Sequence, residues 1–255
     1  MMRQLRIDSV GATHAGRVRT NNEDSFCLWQ DRSLWAVADG MGGHDNGEWA
    51  SARIIDMLEG VSLPSDFDAA CAVIANSIHR ANAEIHEEAE RRSIQMGSTV
   101  VALHLCNDRF GLFWVGDSRG YVLRDGRLHQ LTRDHSQVQD MVDRGLIRAE
   151  DAAMHPMSHV LARAIGVQPG VEVDAVADLA EPGDIFLLCS DGLTSRVSDA
   201  EIAAALDSCS RPEALDHLIT LTLERGAPDN VTAILIGVNE STMLSLVGSA
   251  GSLHR

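Results

Sequence analysis

Four aspartates stand where apolar runs end. Asp39 closes the run 34–38 and opens Asp39-Gly40-Met41-Gly42-Gly43-His44, and Asp117 follows 110–115 within Gly116-Asp117-Ser118-Arg119-Gly120. Asp191 follows 185–189 through Ser190, and Asp229, in Pro228-Asp229-Asn230, precedes the run 231–234. One such aspartate is ordinarily a turn former, because its side chain bonds the backbone two residues on. Four of them at the rim of one sheet system can converge instead. Carboxylates brought close repel one another and favour a bound cation. Oxygen donors without His or Cys partners select Mg²⁺ or Mn²⁺ over Zn²⁺. Two such ions roughly 3.5–4 Å apart share a bridging water, lower its pKa and direct the resulting hydroxide at phosphorus. Gly40, Gly42 and Gly43 let backbone come close to a ligand.

The stretch Gly16-Arg17-Val18-Arg19-Thr20-Asn21-Asn22-Glu23-Asp24 offers the complementary group. An arginine can hold two phosphate oxygens at once, which a lysine cannot. By spacing alone Arg19 is an ordinary surface residue. The net charge of −16, from 37 acidic and 21 basic residues, argues against a nucleic-acid partner. Surface acid also keeps a chain dispersed, so the charge permits cation binding without requiring it. Five scattered cysteines (Cys27, Cys71, Cys106, Cys189, Cys209) form no CxxC pair, which excludes the usual zinc spacings and suits a reducing cytoplasm. The first six residues hold no apolar leader, and no run reaches the ~18 residues of a membrane span. A cytoplasmic chain without membrane contact is expected.

The elements that must position these groups follow from periodicity. The spacing predicts strands at 5–10, 25–30, 33–38, 99–106, 110–115, 120–124, 127–131, 171–176, 184–189 and 231–238. Residues 11–23 read as a loop, and Asp125-Gly126 as a two-residue hairpin. Helical spacing begins at Asn46 and stops at Gly60, returns over 68–92, and returns again over 198–207, with Ser198 as N-cap, and 212–225. A polar insertion, 132–165, carries one short helix at 136–144. A mobile tail is expected over 239–255, which is rich in Ser and Gly. Strands grouped with strands and helices in pairs predict an α+β chain of antiparallel sheets with helices outside.

Taken together, these segments resemble, in order and spacing, the metal-dependent Ser/Thr protein phosphatases of the protein phosphatase 2C type, bacterial branch. Gly97-Ser98-Thr99 before a strand fits the same pattern, and the resemblance runs from about residue 7 to 238. It implies a four-layer α/β/β/α sandwich in one catalytic domain, 1–238, with 132–165 as a flap. It implies two Mn²⁺ or Mg²⁺ ions and a third, weaker one. Carried over, Asp39 bridges the two ions and the Gly40 carbonyl ligates the second. Asp191 and Asp229 hold the first, Glu23 or Asp24 acts through water on the second, and Asp117 with Asp191 forms the third site. Arg19 binds the substrate phosphate.

The animal enzymes carry a histidine directly after Asp-Gly as general acid; here that place is Met41, and the nearest histidine is His44. His155 and His159 in the flap are further proton sources. The implied activity is hydrolysis of phosphoserine and phosphothreonine in proteins by a metal-activated water. The implied partners are phosphorylated proteins and a cognate Ser/Thr kinase, by analogy one controlling a secretion apparatus, with the chain acting as a monomer. Two other readings stay open: a catalytically silent scaffold that binds a kinase or phosphoprotein, and a hydrolase of small phosphate esters.

Overall fold

The computed structural model describes residues 5–43, 45–152, 155–157 and 160–240. His44, His159 and the part of the expected tail from residue 241 onward lie outside the described residues. Strand β3 (Leu34–Met41) contains the apolar run 34–38 that leads into Asp39. Leu34, Ala36 and Ala38 enter the core on the helix side, while Trp35 and Val37 enter the core between the sheets. A strand covered on both faces needs apolar residues at successive positions.

Two antiparallel sheets are built around it. One has the order β1 (Leu5–His14), β11 (Val231–Glu240), β10 (Ile185–Cys189), β7 (Arg119–Arg124), β8 (Arg127–Gln130). The other has β2 (Asp24–Trp29), β3, β5 (Val100–Cys106), β6 (Arg109–Val115) and β9 (Asp174–Leu179), with the short β4 (Gly97–Ser98) paired to β3. The sheets face each other through Trp35, Leu103, Leu112, Phe186 and Ile236. Helices α1 (Asp45–Glu59) and α2 (Phe67–Arg92) cover the second sheet with Ile54, Leu58, Ile74, Ile78 and Ile85. Helices α6 (Asp199–Ser208) and α7 (Arg211–Glu224) cover the first with Ile202, Leu206 and Leu218. Each fully buried Ile or Leu contributes about 1.5–3 kcal/mol, so these three cores hold the four layers together. Both outer helices begin with a capping box, Ser198 with Glu201 and Ser210 with Glu213.

Several boundaries differ from the periodicity. β1 runs through His14, because its ladder with β11 extends from Leu5↔Glu240 to His14↔Val231. Residues 11–14 show no alternation; Gly11 is small because a side chain there would meet the Phe26 ring and Leu28. The strand expected at 171–176 begins at Asp174, where pairing with Trp114 starts, and Val171 and Val173 pack against the helix-side core instead. Where the sequence reads a plain Asp-Gly turn, α5 (Asp191–Thr194) makes one helical turn. Between β8 and β9, the insertion carries α3 (Gln137–Asp143) and a second short helix, α4 (Ala149–Ala152).

Candidate metal centre

At one edge of the sandwich the strand ends of both sheets meet around a single open cavity of about 1330 Å³. Arg19, Glu23, Asp39, Gly40, Asp117, Asp191 and Asp229 all line it. β3 and the β6–β7 turn bring Asp39 and Asp117 from one sheet, and the ends of β10 and β11 bring Asp191 and Asp229 from the other.

Each group is fixed by its neighbours. The Asp39 amide donates to Thr99 Oγ1 at 3.1 Å, and its carbonyl accepts from the Thr99 amide at 2.8 Å and from Ser98 Oγ at 2.9 Å. Thr99 Oγ1 also bonds Ser118 Oγ at 2.6 Å, which ties the Asp39 strand to the Asp117 turn. The Gly40 amide donates to the Glu23 carbonyl at 3.1 Å. A Cβ on Gly40 would fall 2.0 Å from the Gly47 carbonyl oxygen, so α1 packs directly on this backbone. Asn230, only 5% exposed, is a clamp. Its Nδ2 donates to the carbonyls of Ala15 and Asn21, and its Oδ1 accepts the Glu23 amide at 2.8 Å, holding the Arg19 loop against β11. Arg19 donates to Asp229 Oδ2 at 2.9 Å.

Asp24 takes a different place from its sequence neighbour. Glu23 lines the cavity, whereas Asp24 is buried and its Oδ2 accepts from Ser190 Oγ at 2.9 Å and Thr232 Oγ1 at 2.7 Å. It pairs with Asp39 across β2 and β3, so it braces the strand carrying Asp39 against the residue before Asp191.

A family profile described as Protein phosphatase 2C matches residues 10–235. The chain belongs to the protein phosphatase 2C family. It is 42% identical over 232 residues to the Ser/Thr protein phosphatase PstP of Mycobacterium tuberculosis, a match that covers 88% of this chain and 43% of PstP. This chain therefore spans less than half the length of that relative. It is 36% identical over 237 residues to the Ser/Thr phosphatase stp of Listeria innocua, covering 89% of this chain and 94% of stp. Among solved structures, the catalytic domain of PstP in complex with 2 manganese ions superposes with a TM-score of 0.83 at 37% identity. That match covers 93% of this chain and 100% of the domain. PppA, a key regulatory component of the type VI secretion system in Pseudomonas aeruginosa, superposes at 0.85 and 37%, covering 91% and 97% of the two chains. The paired antiparallel sheets and flanking helices are the protein phosphatase 2C fold.

In this 2C-type site the negative charge is in excess. Burial, followed by the charges of Asp24, Asp191, Asp117 and Asp229, pushes the Asp39 carboxyl well above the usual range. Burial and then Asp191 push Asp117 up to about 8. Asp24 Oδ1 is buried with no hydrogen-bond partner among the described residues. Arg19, paired to Asp229, has a side chain 56% exposed and offsets little of this charge. No three Asp, Glu, His or Cys side chains among the described residues already enclose a single point. The carboxylates ring a cavity instead, which suits a hard divalent ion that keeps several waters. The donor set fits Mn²⁺ or Mg²⁺.

The flap is tied to the same groups. Arg119 grips Asp134 with two nitrogens, and Gly120 donates to Thr132 Oγ1. His135 Nδ1 accepts the Gly116 amide at 3.1 Å, so the neutral ring carries its proton on Nε2, which stands 3.2 Å from Asp174 Oδ2. Burial, and then the charge of Arg163, lowers the His135 pKa and keeps the ring neutral. On the return leg, Ile165 bridges to Ser98, whose hydroxyl holds the Asp39 carbonyl. Sequence reading placed Thr99 in the Gly97-Ser98-Thr99 pattern without a role, and missed His135 and the cavity-lining Arg163 and Arg196, since no motif marks them. Described His155 accepts the Met157 amide and does not line the cavity.

Proposed function

We propose that this chain hydrolyses phosphoserine and phosphothreonine in proteins, acting opposite a Ser/Thr kinase in the cytoplasm. The observation that carries the reading is the gathering of Glu23, Asp39, Asp117, Asp191 and Asp229 with Arg19, from both sheets, on one cavity. The manganese-loaded domain of PstP supports it from the same family. On this reading Asp39 and the Gly40 carbonyl, with Asp191 and Asp229, would hold two Mn²⁺ or Mg²⁺ ions. Glu23 would act through water, and Asp117 with Asp191 would hold a third. Bound there, the ions supply Lewis acidity toward phosphoryl oxygens and lower the pKa of water.

The remaining work belongs to the chain. Arg19 turns from Asp229 to the substrate phosphate, where its planar fork meets two oxygens. Asp24, Thr99 and Asn230 keep the carboxylates in place before substrate arrives. The proton for the departing alkoxide would come from His44, His159 or water, as His155 lies off the cavity. The link to a secretion apparatus is supported by PppA, a key regulatory component of such a system in its own organism. Reduced cysteines support the compartment, all five being free thiols. Among the described residues no helix is long and apolar enough to cross a membrane.

The test is phosphate release from a phosphothreonine peptide with Mn²⁺ titrated from zero, for wild type and Asp191→Asn. Metal-dependent turnover that falls at least ~100-fold in the variant is expected. An intact peptide beside a working positive control would overturn the reading, and Mn²⁺ binding without turnover would assign a scaffold.

A further inference from the structure

The cavity is longer than a phosphate group needs. Past Gly42 and Gly43 its wall gains Ile94, Met96, Val167 and Val171, set among Glu90, Gln95 and Gln168 and supplied by the end of α2, the loop after it and the exit from the flap. Five large apolar side chains are prominently exposed among the described residues: Val18, Leu146, Val160, Val167 and Leu179. The first four lie in the Arg19 loop, in the flap or just past it, and Val160 and Val167 line the cavity itself. Single exposed apolar residues need no explanation, but two of them on the wall of one cavity, beside Ile94 and Val171, point to a binding surface.

The position of Val167 sets the distance. Met41, one residue past Gly40, pairs with Gly97, and a Cβ on Gly97 would touch Val167 Cγ2 at 3.1 Å and the Ile165 carbonyl at 2.6 Å. Gly40 pairs with Ser98, which in turn bridges to Ile165, so two strand spacings, about 10 Å, separate the end of β3 from the backbone at Ile165, two residues before Val167. An extended chain carries a residue two positions on by about 7 Å, and its side chain reaches further.

We propose that this half of the cavity seats an aliphatic side chain of the substrate protein, two residues from the phosphorylated serine or threonine, against Ile94, Val167 and Val171. The inference rests on the phosphatase reading above and names the sequence class that reading leaves open. The occupant is the substrate's own flanking segment because the apolar wall is continuous with the carboxylate wall in one cavity. A peptide whose phosphate sits at the carboxylate end must run along one side or the other.

The experiment compares two phosphothreonine peptides, identical except for Leu or Ser at the positions two before and two after the phosphothreonine. Both are scaled to p-nitrophenyl phosphate and assayed with Mn²⁺. Wild type is expected to favour the Leu peptide roughly tenfold in kcat/KM, chiefly through KM. Val167→Asp, at a residue 56% exposed and so tolerant of charge, is expected to bring that ratio to about twofold or less. Leu179→Asp, exposed on β9 and off the cavity, is expected to keep both the rate and the preference. Equal rates on the two peptides in wild type would overturn the inference, as would a preference that survives Val167→Asp. A dimer that dissociates in Val167→Asp would give the wall to a second copy and overturn it too. Cleavage of p-nitrophenyl phosphate but of neither peptide would mark a small-ester hydrolase and remove the subsite. Cleavage of none of the three would instead fail the phosphatase reading, and the subsite with it.

Discussion

On the proposed reading, Arg19 serves two states. Its guanidinium bonds Asp229 Oδ2 at 2.9 Å with the arginine side chain 56% exposed and the aspartate 40%. An ion pair that exposed contributes about 0–1 kcal/mol, so breaking it to meet a phosphate costs little. Geometry decides the rest, since a lysine keeps the charge and loses the fork. Arg19→Lys is therefore expected to change thermal stability by less than about 1 kcal/mol while raising KM for a phosphothreonine peptide roughly tenfold or more. Melting curves and steady-state kinetics on the same preparation check both. A KM equal to wild type would remove Arg19 from the phosphate site.

Among the elements, the junction of β10, α5 and β11 is the least forgiving. Asp191 opens α5, and the next residue, Gly192, faces the Asn230 carbonyl: a Cβ there would lie 1.8 Å from that oxygen. Neither partner is a flexible side-chain end, so any added methyl must part the two strand ends. Asn230 is also the clamp that bonds Ala15, Asn21 and Glu23, and a shift there reaches the Arg19 loop. Gly192→Ala is expected to cost about 1–3 kcal/mol of stability and to weaken Mn²⁺ binding at least tenfold. Gly60→Ala is the comparison, because a Cβ at Gly60 would meet only ordinary contacts from 3.6 Å outward. Calorimetric Mn²⁺ titration and denaturant unfolding read the two effects separately.

Across the whole molecule, a net charge of −16 meets a buried carboxylate cluster. Asp24 and Asp117 titrate near 4 when unfolded, and burial raises them to about 7 and about 8 in the fold. Between those values the folded chain holds protons that the unfolded chain has released. The resulting stabilisation is complete below about pH 4 and is lost as pH rises through about 7 to 8. On the proposed reading, a bound divalent ion would take over the role of the proton. In EDTA the melting temperature is thus expected to fall as pH rises from about 6 to 9, and saturating Mn²⁺ is expected to flatten the dependence. A metal-free melt that stays level across that range would mean the carboxylates are not crowded.

Much of this was legible in the residues. The buried run at 34–38, the Asp125-Gly126 hairpin with φ of 51° and 71°, the Ser198 cap and the oxygen-only donor set each depend on a few neighbouring side chains. Local sterics and donor chemistry act over that range, so sequence alone determined the longer strands, which residue types stand at their ends and which cations those types prefer, but not the two-residue β4, which exists through its pairing with β3. Tertiary structure decided what those ends do together. The length of β1 is set by a partner more than two hundred residues away, and the start of β9 by Trp114. Asp24 became a brace because Ser190 and Thr232, 166 and 208 residues along the chain, deliver hydroxyls to one of its oxygens. Nor does any local pattern reveal that Gly192 must be bare for Asn230 to lie against it. Register, strand ends and the meeting of two sheets at one rim follow from pairing and interlayer packing, forces that join residues distant in the chain.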